Sequence, residues 1–189
     1  MYGLAASEPG VLPGMSTTMI GVKGLTSLND NELEALLEQR GLDRGGSDLR
    51  GQVAVALLAE AGLSSQIVRT LTTLDAVPGR GVRLDATLPQ RVERLLDQVV
   101  AGSASGGYVL GVSPLSPEAL AKLLARHGAR RGVKGVTVQR LRRTYARRAV
   151  EQGVPRDVLA RRLGVKTKNL QEFLRRDPKV TKSEIPPAE

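Results

Sequence analysis

Gly135-Val-Thr-Val-Gln-Arg-Leu-Arg-Arg-Thr-Tyr-Ala146 opens a stretch that reads as an amphipathic helix. Thr137 is of the type that caps helix N-termini, because its hydroxyl accepts from an otherwise orphaned amide. Val138, Leu141, Tyr145 and Ala149 then follow at steps of three, four and four, the spacing that collects side chains on one face. Arg140, Arg143 and Arg147 fall on a separate face, flanked by Arg142 and Arg148. Gly153 ends the helix. One side therefore seeks a core, and the other carries planar cationic forks whose geometry suits phosphate.

Downstream, Pro155 starts a short helix through Val158, Leu159 and Leu163, Gly164 turns the chain, and a last helix over 166–176 buries Leu170, Phe173 and Leu174. This pair also scans as helix–turn–helix, with Lys166, Thr167, Lys168 and Asn169 at the start of the second helix, within reach of phosphates or base edges. Upstream, Ser27, Asn29 and Asp30 offer caps to a helix carrying Leu33, Leu36 and Leu37, which Gly41 stops. Asp48 caps a helix whose Val53, Val55, Leu57 and Leu58 make it apolar on most sides, hence internal. Further helices are expected from Ser64 to Leu74, over 88–101 (Val92, Leu95, Leu96 and Val99 inward), and from Ser116-Pro117 with Leu120, Leu123 and Leu124 inward. Val82-Arg83-Leu84 and Tyr108–Val112 alternate like short strands, each following a turn or loop, at 78–81 and 102–107 respectively. The expected fold class is mainly α with a small β element, in one domain over 25–176. A disordered Gly, Pro, Ser and Thr-rich arm (1–24) precedes it and a flexible tail (177–189) follows, and Met1, Met15 and Met19 are all candidate starts.

Charge narrows the function. The net charge is +9, yet residues 1–125 hold 10 Lys and Arg against 13 Asp and Glu, whereas residues 126–176 hold 16 against 3. Such a block repels itself without a polyanionic partner, and duplex DNA is the expected one. Arg130, Arg131 and Lys134 precede the arginine-rich helix, and Arg161, Arg162, Lys166 and Lys168 follow it. Only Glu151, Asp157 and Glu172 are at hand within the segment to pair with them. The expected contact set is therefore Arg130, Arg131, Lys134, Arg140, Arg142, Arg143, Arg147, Arg148, Arg161, Arg162, Lys166 and Lys168, with alanine at Arg143 or Arg147 flattening the salt dependence. No Cys and a single His argue against thiolate chemistry, a disulfide framework and most metal sites, so neither cofactor nor metal is expected. No apolar run approaches the roughly 20 residues that span a bilayer, and no signal-peptide pattern opens the chain, so a cytoplasmic, nucleoid-associated protein without a membrane partner is expected.

In order and spacing, residues 26–176 resemble the catalytic domain of the tyrosine recombinases, the phage-integrase family. Leu49-Arg-Gly-Gln-Val-Ala-Val-Ala-Leu-Leu-Ala-Glu-Ala-Gly-Leu63 is similar to the family's buried helix ending in Thr-Gly-Leu-Arg. Leu115-Ser-Pro-Glu-Ala-Leu-Ala-Lys-Leu-Leu resembles the helix before the active-site helix, and 135–146 resembles the His-x-Leu-Arg-His-Thr-Phe-Ala segment. Gly153-Val154 and Leu163-Gly164 follow at matching intervals.

The resemblance implies phosphoryl transfer by a tyrosine supported by two arginines, a histidine or tryptophan, and a lysine. Here Ser64 occupies the first arginine position, Gln139 the first histidine and Val165 the second, while Arg142 keeps the second arginine. The nucleophile's place falls near Phe173 or Leu174, and no tyrosine follows Tyr145. The hairpin that would present the lysine is shortened to the turn around Arg80 and Arg83. Tyr145 is expected to pack in the core and His127 to lie at the surface or cap a helix C-terminus. Because such catalysis is mostly positioning and stabilisation of developing charge, these losses imply binding without cleavage. The family's separate N-terminal clamp domain is also expected to be missing, so this chain is expected to cover one side of a duplex with little sequence choice and to organise, protect or regulate DNA. The alternatives are an interaction partner or regulator of an active recombinase, a homo-oligomer docked through the tail, a helix-turn-helix transcription regulator, and an enzyme that nicks or transfers strands with another tyrosine.

Overall fold

Asn29 Oδ1, Ser64 Oγ, Ser116 Oγ and Thr137 Oγ1 each accept from the backbone N–H three residues on, at 2.7, 3.3, 3.1 and 3.1 Å. Each of these contacts starts a helix, satisfying a donor that the helix itself leaves orphaned. At Asn29 the cap is reciprocal, since Glu32 accepts from the Asn29 N–H. The computed structural model describes residues 26–38, 47–76, 88–103 and 106–175. Among them are α1 (Asp30–Leu37), α2 (Ser47–Ala59), α3 (Ser65–Thr70), α4 (Gln90–Ala101), α5 (Pro117–Arg130), α6 (Val138–Glu151), α7 (Arg156–Leu163) and α8 (Thr167–Arg175).

α2 is the axis of the molecule. Val53 through Ala59 are all essentially inaccessible, and the helix packs against α1, α3, α4, α5 and α6. That is the burial its uniformly apolar sequence demands. Leu33, Leu36, Val68, Val92, Leu96, Leu120, Leu124 and Leu141 close around it as one core. A second, smaller cluster holds Tyr145, Ala146, Ala149, Leu159, Leu163, Leu170 and Leu174. α6 belongs to both: its first turns face α2, and its second half carries α7 and α8.

The β expectation does not hold at 108–112. In place of a strand there are two isolated antiparallel bridges, Thr72 with Tyr108 and Tyr108 with Gly111. Thr73 and Val109 donate to Gly107 and Leu71 at 2.7 and 2.9 Å, after which the chain turns at Gly111 and the ladder cannot extend. α3 is shorter than expected and stops at Thr70. Asp75 accepts from both the Thr72 amide (3.0 Å) and its hydroxyl (2.7 Å), a local turn that competes with the helical bonds. The arm 1–24, the Gly41 stop, the 78–81 turn, the 82–84 strand and the tail 177–189 lie outside the described residues.

Candidate nucleic-acid interface

The arginines of α6 divide by partner. Arg140 Nη2 donates to both oxygens of Glu32 at 2.8 and 2.9 Å, its Nε donates to the Thr26 carbonyl at 3.1 Å, and its Nη1 to the Lys134 carbonyl at 2.6 Å. Arg147 pairs with Glu151 at 2.8 Å through Nη1. Its Nη2 reaches Asp30 at 3.1 Å and the Leu28 carbonyl at 3.4 Å. Arg131, at the C-cap of α5, pairs with Asp48 and its side chain is almost wholly covered. Arg143 is only 9% exposed. The scarcity of local carboxylates therefore misled: Asp30, Glu32 and Asp48 pair with Arg147, Arg140 and Arg131 from 83 to 117 residues away. Sequence proximity carries no signal for such pairs.

His127 is a second correction. It is 2% exposed, with Nδ1 3.0 Å from Asp48 Oδ1 and Nε2 2.8 Å from the Leu36 carbonyl. Its polar neighbours in sequence suggested a surface residue. In the fold the ring lies against Gly51 of α2, where a Cβ would come within 2.5 Å of it, and Asp48 satisfies its polar edge.

Most of the remaining predicted cations face solvent or the C-terminal hairpin, and Arg148 faces the end of α2. Arg130, Lys134, Lys166 and Lys168 are exposed, as are Thr167 and Asn169. Arg161 keeps 80% of its side chain accessible beside Asp157 at 3.8 Å. Arg162 is half-buried and donates to the Tyr145 hydroxyl at 3.2 Å. Half-buried Arg148 acts on Glu60, where it and Arg91 (3.4 Å) oppose the burial that holds that carboxyl above its ordinary pKa, while Glu34 adds to the rise. Lys122 and Arg126 of α5 are also exposed, at helical spacing with Arg130; that spacing is in the sequence, and the predicted set omits them.

Arg142 stands apart. Among the described residues it meets no carboxylate. Nη2 donates to the Leu163 carbonyl, the guanidinium lies 5.8 Å from the centre of the Phe173 ring, and Nε is buried without a partner. Burial lowers its pKa, yet a guanidinium remains charged at any physiological pH. Beside it the α7–α8 turn approaches the start of α3, and a Cβ on Gly164 would lie 3.8 Å from that of Ser64. Ser64, Arg142, Gly164 and Phe173, spread over more than a hundred residues of sequence, thus converge. Gln139 is exposed and Val165 half-buried. Tyr145 is 5% exposed, its ring against Gly62, in the packing role expected of it. Among the described residues no three His, Cys, Asp or Glu side chains meet where a metal could be held, and no helix is long and apolar enough to cross a membrane.

The sequence matches no protein-family model and no curated protein. Among solved structures it is similar to XerA recombinase, with a TM-score of 0.60 at 14% identity, covering 92% of this chain and 66% of that one. It is also similar to XerH site-specific recombinase bound to its palindromic difH substrate in a post-cleavage complex. There the TM-score is 0.57 at 16% identity, over 83% of this chain and 51% of that one. The fold is tyrosine-recombinase-like, and the chain spans about two thirds and one half of the lengths of these neighbours.

Proposed function

We propose that this protein binds duplex DNA without cutting it, through phosphate contacts from its solvent-exposed cations. The observation that carries this reading is the accessibility of Arg161, Lys166 and Lys168 on α7, the turn and α8, beside Arg142, on a recombinase-like frame. Arg130 and Lys134 extend the exposed positive surface at the other end of α6. Contacts of this kind fix a protein on the backbone and carry little sequence information. Ser64 and Phe173, at the places where the resemblance puts an arginine and the nucleophile, favour a binding role over strand transfer. The role this suits is architectural, protective or regulatory.

The test is a gel-shift titration of a fixed duplex across salt concentrations. Each phosphate contact contributes about −0.9 to the slope of log affinity against log salt, so the variant Arg161→Ala/Lys166→Ala/Lys168→Ala should lose roughly 2–3 units of slope. An affinity indifferent to salt would end this reading. Incubation with a suicide substrate should leave no covalent DNA–protein adduct, and an adduct would restore the enzyme alternative.

A further inference from the structure

We infer that Arg142 is a positioning residue for the α7–α8 hairpin, setting where Lys166 and Lys168 point, and is not itself a phosphate ligand. The inference rests on the DNA-binding reading for its consequence, and on geometry alone for its premise. The Arg142 guanidinium reaches into the hairpin on both sides of its turn. It donates to the Leu163 carbonyl in the last turn of α7 and lies over the Phe173 ring of α8.

Three features make this contact decisive for the hairpin. First, the C-terminal carbonyls of a helix are orphaned acceptors carrying partial negative charge, so a guanidinium there both caps and complements the helix dipole. Second, among the described helices α8 packs mainly on α6 and α7, and its two buried leucines, Leu170 and Leu174, leave Phe173 half-exposed. A cation over an aromatic face adds a directional contact that the leucines cannot supply. Third, the turn between the contacts is short. Gly164 takes a left-handed conformation (φ 61°), Val165 donates to the Ala160 carbonyl at 3.0 Å, and Asn169 donates to the Lys166 carbonyl at 2.8 Å. Lys166 and Lys168 therefore sit on backbone held at one end through Leu163 and at the other through Phe173. Arg142 has spent one face on a ring and an edge on a carbonyl, and no carboxylate among the described residues holds it elsewhere.

A double-mutant cycle tests this, with the full chain and a duplex of fixed length. Lys166→Ala/Lys168→Ala should weaken binding several-fold in the wild type and much less in an Arg142→Met background, because lysines on a loosened hairpin contribute little. Arg142→Lys should not rescue, since an ammonium can neither fork nor stack as a guanidinium does. Without DNA, amide exchange over 167–175 should accelerate at least tenfold in Arg142→Met, and Phe173→Leu, which removes the ring and keeps the arginine, should do the same. Additive losses, with rescue by Arg142→Lys and unchanged exchange in α8, would identify a direct phosphate contact and overturn the inference. If the lysine pair has no effect on the wild-type salt slope, the DNA reading fails. The exchange rates of the two single variants still decide whether Arg142 holds the hairpin.

Discussion

Arg140 and Arg147 are chemically the same kind of residue as Arg161, yet their substitution should have a different effect. Arg140 engages Glu32 and two carbonyls under partial cover, so Arg140→Ala strands a half-buried carboxylate and should cost about 2–3 kcal/mol in urea unfolding. Arg147→Ala should cost about 1–2 kcal/mol, less because Asp30 is largely solvated. Under the proposed DNA-binding function both should leave the salt slope nearly unchanged, whereas the sequence alone predicts that Arg147→Ala flattens it. A large loss of slope in either variant would return these arginines to the interface. Glu60 offers a pH test. Its folded pKa is raised mainly by burial, so the native state holds its proton more tightly than the unfolded chain does. That contribution is complete below the ordinary carboxylate pKa and is lost as pH rises through the raised value. Glu60→Gln should therefore match the wild type in Tm near pH 4 and exceed it at neutral pH; parallel curves would sink the assignment. At this scale the candidate site was half legible. The residue types and the Arg142 position stood in the sequence, but which arginines were already engaged depended on carboxylates in α1 and α2 that only folding brings near.

Helices were the most legible elements, because a cap, an apolar stripe and a glycine stop are all local. Two glycines with left-handed backbone, Gly62 and Gly164, separate backbone from packing. Gly164 has φ 61°, and a methyl added there would meet only Ser64, at 3.8 Å, so Gly164→Ala should cost just the left-handed backbone penalty, about 1–2 kcal/mol. Gly62 has φ 69° and would press a methyl to 2.3 Å from the Tyr145 ring, so Gly62→Ala should cost about 2–5 kcal/mol by adding overpacking to the same penalty. Thermal melts of the two variants check this, and equal losses would mean the ring moves freely. The strand at 108–112 was misread because alternation alone does not supply a partner. Its nearest backbone, at 71–73, is itself bent by the Thr72–Asp75 turn.

Across the whole molecule, two apolar clusters share α6, and they are unequal: the larger surrounds α2, and the smaller holds only the end of α6 with α7 and α8. Native-state hydrogen exchange should separate them, with α2 amides opening only in global unfolding and α7–α8 amides through a lower-energy event with a smaller denaturant dependence. One common free energy for both would show a single cooperative unit. The pairing of α1 with α6 has a further consequence, for birth on the ribosome. The Leu28 amide donates to Thr144 Oγ1 at 2.8 Å, 116 residues downstream, and Asp30 and Glu32 await Arg147 and Arg140. At roughly 5–20 residues per second, the Leu28 amide and the carboxylates of Asp30 and Glu32 emerge about 6–23 s before the groups that pair with them, and α1 meanwhile has α2 to pack on. Chains stalled before α6 should thus be cut by protease near residue 28 faster than chains stalled well after it, and equal rates would show that α2 alone is enough to fix the entry to α1.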